Sequence, residues 1–475
     1  MREALFLMLL SFSGFVHCSR FSGTHHRWIG LAVAFPVGLG HWTIISLVAL
    51  FCSGGVRYVP FLVSVFALIQ FLFLVRRERW AGMLAWLPWG LTAAALGLVA
   101  GLSFGKLGWI QVSYDSIEQI AFGRALAEGG WDSSYGFLVA TWGMVLPLEQ
   151  AASVVFGIDV IRGGSGLLAV SLLALLALTI WLLADEARVT AAVLAVVFLA
   201  STNFFAFQSA YVHNSLPSAT FLLMFLSGLA LATKTGDGSW LELSFVGIMG
   251  FALCRTEGIL FSVAALVLAA SVIEKTSLWS RFRRFVTAYV VVMLLWCFVW
   301  MSLIGTGSDI MTKERIIIQM AALVFGLGMI VLPWDIFGRI RTNMPEIAVV
   351  ASLAAILLSY IWQPEHTLKN LQVILGNLLQ DGRWGMAWWS VIVAAPLALS
   401  LASGRNSRAL ISFAIVFVSL VVLMGLMRIP YRLGWFDSAN RIFTHLLPLL
   451  VLGCAVAATS CPNKGDELIN DEIRE

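Results

Sequence analysis

Residues Lys106 to Trp131, KLGWIQVSYDSIEQIAFGRALAEGGW, are the first long polar interruption in an otherwise apolar chain. They follow directly on the apolar run Ala81 to Phe104, which is long enough as a helix to cross a bilayer. Within the stretch, Ile117, Ile120, Ala121 and Ala125 recur at helical spacing, Ser116 and Gln119 stand three apart as in a capping box, and Gly129-Gly130 supplies a stop. The reading is a short helix that starts at Asp115, just outside the membrane. Asp115 either caps that helix by accepting its orphan amide protons or presents a carboxylate for chemistry. Glu118, one turn on, either completes the cap or joins the chemistry.

Outward from this stretch the chain is greasy. Of 475 residues 60% are hydrophobic and only 12% charged, with a mean hydropathy of +0.91, whereas about a quarter of a soluble domain is charged. The expectation is an all-α polytopic membrane protein with about 13 to 15 crossing helices, whose first large partner is the lipid bilayer. No segment is long and polar enough to be a separate soluble domain. The net charge of +4 is dispersed over many loops, so no nucleic-acid partner is read. Cys18, Cys52, Cys254, Cys297, Cys454 and Cys461 lack CxxC or metal spacing and read as buried or spare thiols. No P-loop, dinucleotide fingerprint, EF-hand or zinc motif occurs, and no metal ligands are assigned.

In chain order, Ala4 to Val16, with Arg2 before it and His17-Cys18-Ser19 after it, reads as either a signal peptide or a short first span. Spans are expected at Trp28 to Cys52, Pro60 to Val75 and Ala81 to Phe104. Others are expected near 163–184, 190–207, 215–233, 285–304, 316–334, 345–362, 384–402, 409–427 and 441–459. The basic run Arg76 to Arg79 lies inside by the positive-inside rule, which puts Asp115 on the extracytoplasmic side. Parity then requires that Tyr135 to Gly157, interrupted by Pro147 and Glu149, lie at the outer interface without crossing. The expected division is 1–80 as additional helices and 81–304 as a catalytic module with outer loop 105–162. Residues 305–460 complete the donor site, and 461–475 form a cytoplasmic tail. Leu368, Leu371, Ile374, Leu375 and Leu378 trace an amphipathic helix on the membrane surface.

Charges inside apolar sequence mark the candidate site. Arg255-Thr256-Glu257 separates two short apolar pieces, Leu243 to Cys254 and Gly258 to Ile273, so the guanidinium reaches only part way to water and needs an anion. That anion is either Glu257 or a lipid-linked phosphate, which suits the planar fork of arginine. The last outer loop, MRIPYRLGWFDSANRIFTHLLP from Met427 to Pro448, gathers Arg428, Arg432, Asp437, Asn440, Arg441 and His445, with Arg441 and His445 on one helical face. Tyr211, His213 and Asn214 occupy the outer loop before Pro217.

Three of these elements, in this order and on one side of the membrane, resemble the GT-C superfamily. They are SYDSIEQIAFGRALAEGGW, ALCRTEGILF and DSANRIFTHLLPL. Members are polytopic glycosyltransferases that use polyprenyl-phosphate sugars, such as the bacterial relatives of dolichyl-phosphate-mannose protein mannosyltransferases. The chain departs from them in reading RTEG where RPEG is frequent, and SSYGFLVATWGMVLPLEQ where a Tyr- and Pro-rich piece is common.

The resemblance implies a GT-C-like fold with amphipathic helices in the first extracytoplasmic loop. It implies transfer, with inversion, of a sugar from a polyprenyl-phosphate donor to an extracytoplasmic glycan, lipid or protein acceptor. Asp115 would then be the catalytic base and Glu118 its substitute. Arg255, Arg432 and Arg441 would bind the donor phosphate, and His213, Asn214, Glu257, Asp437 and His445 the acceptor or sugar. A divalent ion, Mg or Mn, carried by Asp115 and the phosphate stays open as a cofactor. The expected location is a bacterial inner (plasma) membrane with the site facing outward. Two rival readings are a transporter or flippase of a lipid-linked or anionic substrate, and a cell-surface glycan polymerase or ligase.

Overall fold

The computed structural model describes residues 1–19, 24–52, 55–104, 114–129, 143–303, 312–331, 342–401, 405–427, 431–434 and 438–459. Readings that fall on Lys106 to Ser113, Gly130-Trp131, Asp309, Arg428, Asp437, Cys461 and the rest of the tail lie outside these residues. The described chain is all-α, the form in which a backbone without water satisfies its own hydrogen bonds.

Helix α1 (Arg2–Cys18) is enclosed by α2 (Thr24–Phe51) and α3 (Val59–Phe104), and its Ala4, Phe6, Leu7 and Leu10 are fully buried. The enclosure depends on small residues that let backbones touch. Gly14 lies against the Ala34 carbonyl, Gly38 against that of Leu10, and Gly97 and Gly101 of α3 against Leu7 and Ala4. The first apolar run is thus a packed interior helix of the fold. Helix α3 carries two apolar spans, Val56–Arg76 counted with the turn before it, and Leu84–Ser103.

Helix α4 (Tyr114–Gly129) begins one residue earlier than expected, so Asp115 lies inside its first turn and is not its cap. Ser116 Oγ donates to the Val212 carbonyl at 2.6 Å, so Ser116 and Gln119 form no capping box. Helix α5 (Val145–Phe156) ends at Gly157 in the left-handed region, φ 62°. It is too short to cross, as parity required, and it is buried against α4, with Gly123 on the Pro147 carbonyl.

Helices α6 (Gly163–Leu183), α7 (Arg188–Ser201) and α8 (Asn203–Ser209) follow. The single span expected at 190–207 is broken at Thr202, where α8 turns 78° from α7. Next come α9 (Ser215–Thr235), α10 (Trp240–Cys254), α11 (Gly258–Val272) and α12 (Thr276–Leu303). A short α13 (Lys313–Ala321), a wide turn and α14 (Leu327–Val331) precede α15 (Met344–Trp362). The chain closes with α16 (Pro364–Gly376), α17 (Ala387–Leu401), α18 (Arg405–Met427) and α19 (Ser438–Thr459).

Among the described residues nine helices are long and apolar enough to cross a membrane, or ten with the bent pair α7–α8 as one. The expectation of about 13 to 15 also counted shorter apolar helices, α10, α11 and α17 among them, and apolar sequence outside the described residues. The expected surface helix is α16, but its leucine stripe divides. Ile374 and Leu378 are buried, Leu368 and Leu375 are exposed, and the buried face is completed by Thr367, Asn370 and Asn377.

Candidate functional site

Four elements converge at one end of the bundle. Helices α10 and α11 have 15 residues each, about 22 Å by helical rise, against a hydrocarbon core of about 30 Å. Their reversal at Arg255-Thr256-Glu257 is therefore recessed. Arg255 is extended there, and a Cβ at Gly258 would press on the Phe251 and Ala252 carbonyls at 2.8 Å, so the turn needs glycine. The Met144 amide donates to the Leu253 carbonyl at 2.8 Å, which fixes the approach to α5 against the same turn.

The first turn of α19 lies opposite the first turn of α4. Arg441 Nη1 donates to Asp115 Oδ2, a pair 326 residues apart in sequence, and also lies 3.0 Å from His213 Nε2. The other ring nitrogen, Nδ1, accepts from the Ser215 amide at 3.1 Å and lies 2.8 Å from Ser215 Oγ. Burial first, then the charges of Arg441 and Arg255 and the nearby His445, hold His213 well below the usual histidine range. His213 is thus a neutral imidazole, its plane set by Tyr211, which stacks on it at 5.3 Å and 5°.

A second ion pair adjoins the first. Arg255 Nε and Nη2 both reach Glu257 Oε1, at 2.6 and 2.5 Å, and Thr256 Oγ1 donates to Oε2 at 2.7 Å. Gln319 Nε2 holds the Thr256 carbonyl at 2.9 Å. His445, one turn along α19 from Arg441, is buried with its ring edge-on to Phe251 at 5.8 Å. Among the described residues Arg441 Nε and His445 Nε2 have no hydrogen-bond partner. The Arg441 and Arg255 side chains are each 13% exposed and Asp115 28%, so one carboxylate faces outward beside two recessed guanidiniums.

Asp115, Arg441, His213, Arg255, Glu257 and His445 are therefore neighbours. Glu118 is half-buried one turn behind Asp115. Asn214 is buried, and its carbonyl accepts from the Ser218 amide and hydroxyl in the first turn of α9. Arg432 is exposed on the 431–434 segment, where its carbonyl accepts from Asn377 Nδ2 at 2.9 Å, and its guanidinium is not among the contacts above.

Ser215 was not expected here, and its only signal was a polar residue opening an apolar helix. Asn440, read as part of the last outer-loop cluster, accepts from Trp384 Nε1 and donates to the Gly382 carbonyl at 3.1 Å, anchoring the residue next to Arg441. No group of three His, Cys, Asp or Glu among the described residues is placed to hold a metal. A divalent ion at Asp115 would have to compete with the Arg441 guanidinium for Oδ2.

Two solved structures are similar to this chain. One is the oligosaccharyltransferase of Archaeoglobus fulgidus in complex with Zn and sulfate, with a TM-score of 0.41 and 16% identity over 70% of this chain and 41% of that one. The other is the oligosaccharyltransferase AglB of the same organism with an inhibitory peptide and a dolichol-phosphate, with a TM-score of 0.39 and 13% identity over 71% of this chain and 46% of that one. The chain thus spans less than half the length of either. No protein-family model and no curated protein matches it.

Proposed function

We propose that the chain is an integral membrane glycosyltransferase that moves a sugar, with inversion, from a polyprenyl-phosphate donor to an extracytoplasmic acceptor. The observation that carries this reading is one guanidinium, Arg441, bridging the Asp115 carboxylate and the His213 imidazole beside a second recessed arginine. Transfer from a lipid phosphate needs an oxyanion clamp and a proton acceptor within one site, and this cluster supplies both.

In the proposed reaction the donor phosphate binds at Arg441, whose Nε edge has no partner, and draws the guanidinium away from Asp115. The carboxylate then takes the proton of the acceptor hydroxyl. The new bond forms from that oxygen to the anomeric carbon on the face opposite the phosphate. The bond from carbon to phosphate oxygen breaks, its electron pair leaves with the phosphate, and Arg441 and Arg255 stabilise the added charge. Neutral His213 adds no positive charge that would repel Arg441. Glu257 and His445 contact the sugar in this reading, while the lipid tail of the donor lies in the bilayer. A divalent ion would be held by Asp115 and would supply positive charge to the departing phosphate.

A transporter reading draws support from the bent pair α7–α8, since carriers place substrate at such breaks. One experiment separates the two. The purified protein in lipid nanodiscs is incubated with a panel of radiolabelled polyprenyl-phosphate sugars and membrane lipid extract. Sugar transfer that Asp115→Asn abolishes supports the enzyme. Absence of transfer with every donor, together with counterflow in proteoliposomes, supports the carrier and ends the proposal.

A further inference from the structure

Glu149 is outside the cluster and unexplained by it. Its side chain is 2% exposed, and Oε1 has no hydrogen-bond partner among the described residues. The carboxyl fits because Gly164, in the first turn of α6, has no side chain; a Cβ there would coincide with Oε1. A second carboxyl reaches the same helix end from α1. Glu3 Oε1 accepts from the amides of Arg162 and Gly163, both at 2.6 Å, and so satisfies two of the orphan donors that open α6. Glu3 thus has donors for its anion, although burial outweighs them and raises its carboxyl as well, and Glu149 Oε1 has none among the described residues.

A fully buried carboxylate without a donor is costly enough that the group takes up a proton, and a second negative charge at the same helix end adds to that tendency. We infer that Glu3 and Glu149 form a one-proton dyad at the amino end of α6, a proton-binding site separate from the Asp115 cluster that makes the docking of α1 depend on pH. Burial, and then the charge of Glu3, push Glu149 up to about 8.

Burial outweighs the positive amino end of α6, and no neighbouring cation lowers Glu149. From α1 come the Met1 amino group, acting on Glu3, and Arg2, whose Nη1 is committed to the Gly157 carbonyl at 3.0 Å. Arg162 precedes α6 and also acts on Glu3, and α6 itself carries no charged side chain. From the end of α10 come the buried Cys254 thiol and Arg255, which is held by Glu257. Helix α4 leaves Arg124 and Glu128 exposed, as is Arg57 before α3, and α2 contributes Trp42, whose Nε1 donates to the Leu148 carbonyl at 2.7 Å.

The sign of the linkage follows. The folded protein keeps a proton that the unfolded chain releases near 4.5, so this group's support of the fold is complete below 4.5, falls as pH rises toward about 8, and is level above it. Glutamine at 149 mimics the protonated acid and cannot ionise.

The test uses the full chain in detergent. Infrared spectra of the wild type should contain the C=O band of a protonated carboxyl at pH 6, bleached with a midpoint near 8 and absent in Glu149→Gln. The thermal midpoint of Glu149→Gln should equal that of the wild type at pH 4.5 and exceed it at pH 8. A wild type without the band at pH 6 overturns the inference, as does a Glu149→Gln protein that is less stable than wild type at pH 8. Either result means that an ionised Glu149 is held by a cation or donor. If the variant does not accumulate, the wild-type band decides alone.

Discussion

Replacing Asp115 with asparagine is the most informative perturbation. The side chain keeps its size, and its amide oxygen still accepts from Arg441 Nη1, so the bridge between α4 and α19 persists. What disappears is the negative charge and with it the proton acceptor. The stability cost is the lost charge assistance of one hydrogen bond plus an unneutralised guanidinium. Asp115 is 28% exposed and water screens the pair, so that cost is about 1 to 3 kcal/mol. Turnover should fall by about 10² to 10⁴, the usual share of a general base, which is about 2.7 to 5.5 kcal/mol of transition-state stabilisation. Single-turnover sugar transfer at saturating donor reads the second quantity, and thermal unfolding in detergent reads the first. Donor binding should be unchanged or tighter, because Arg441 is no longer neutralised. Near-normal turnover in this variant refutes Asp115 as base, and a collapse of donor binding refutes the separation of roles between Asp115 and Arg441.

Three further outcomes are expected. Arg441→Ala should weaken donor binding about 10- to 150-fold, equivalent to a charged hydrogen bond of about 1.5 to 3 kcal/mol, with lysine rescuing only part of it; failure of the alanine protein to accumulate would favour a structural ion pair with Asp115. His213 is buried as a neutral ring, so stability should be lost as pH falls below the unfolded value of 6.5, and His213→Gln should lose less over that acid range in a pH series of unfolding midpoints. Gly38→Ala should destabilise the fold by about 1 to 3 kcal/mol of overpacking, read as a lower thermal midpoint, because its Cβ would enter the Leu10 backbone, whereas Gly40→Ala, whose Cβ meets Val246 at an ordinary 3.8 Å, should not.

Local pattern determined most of the helices. Hydropathy over about 20 residues marks a span because the bilayer asks the same of every segment that crosses it, wherever it stands in the chain. The recessed Arg255 was legible for the same reason, since two apolar runs too short to cross must turn back between them. The placing of Asp115 and Arg441 at helix starts beside apolar sequence was also legible.

Their pairing was not legible, because nothing local links two residues 326 apart. Tertiary structure alone decided that Asp115 faces a guanidinium and not its own helix amides, and that Ser116 bonds to Val212 and not to its own turn. It decided that α1 is enclosed, through glycines whose value lies in the helix they touch. It broke the apolar run 190–207 at Thr202, a residue with no turn signal, because α8 packs along a direction that α7 cannot continue. And it brought Glu3 and Glu149 to the same end of α6: each is an ordinary acid in sequence, and the unusual chemistry of the pair comes from burial and proximity, which only the fold confers.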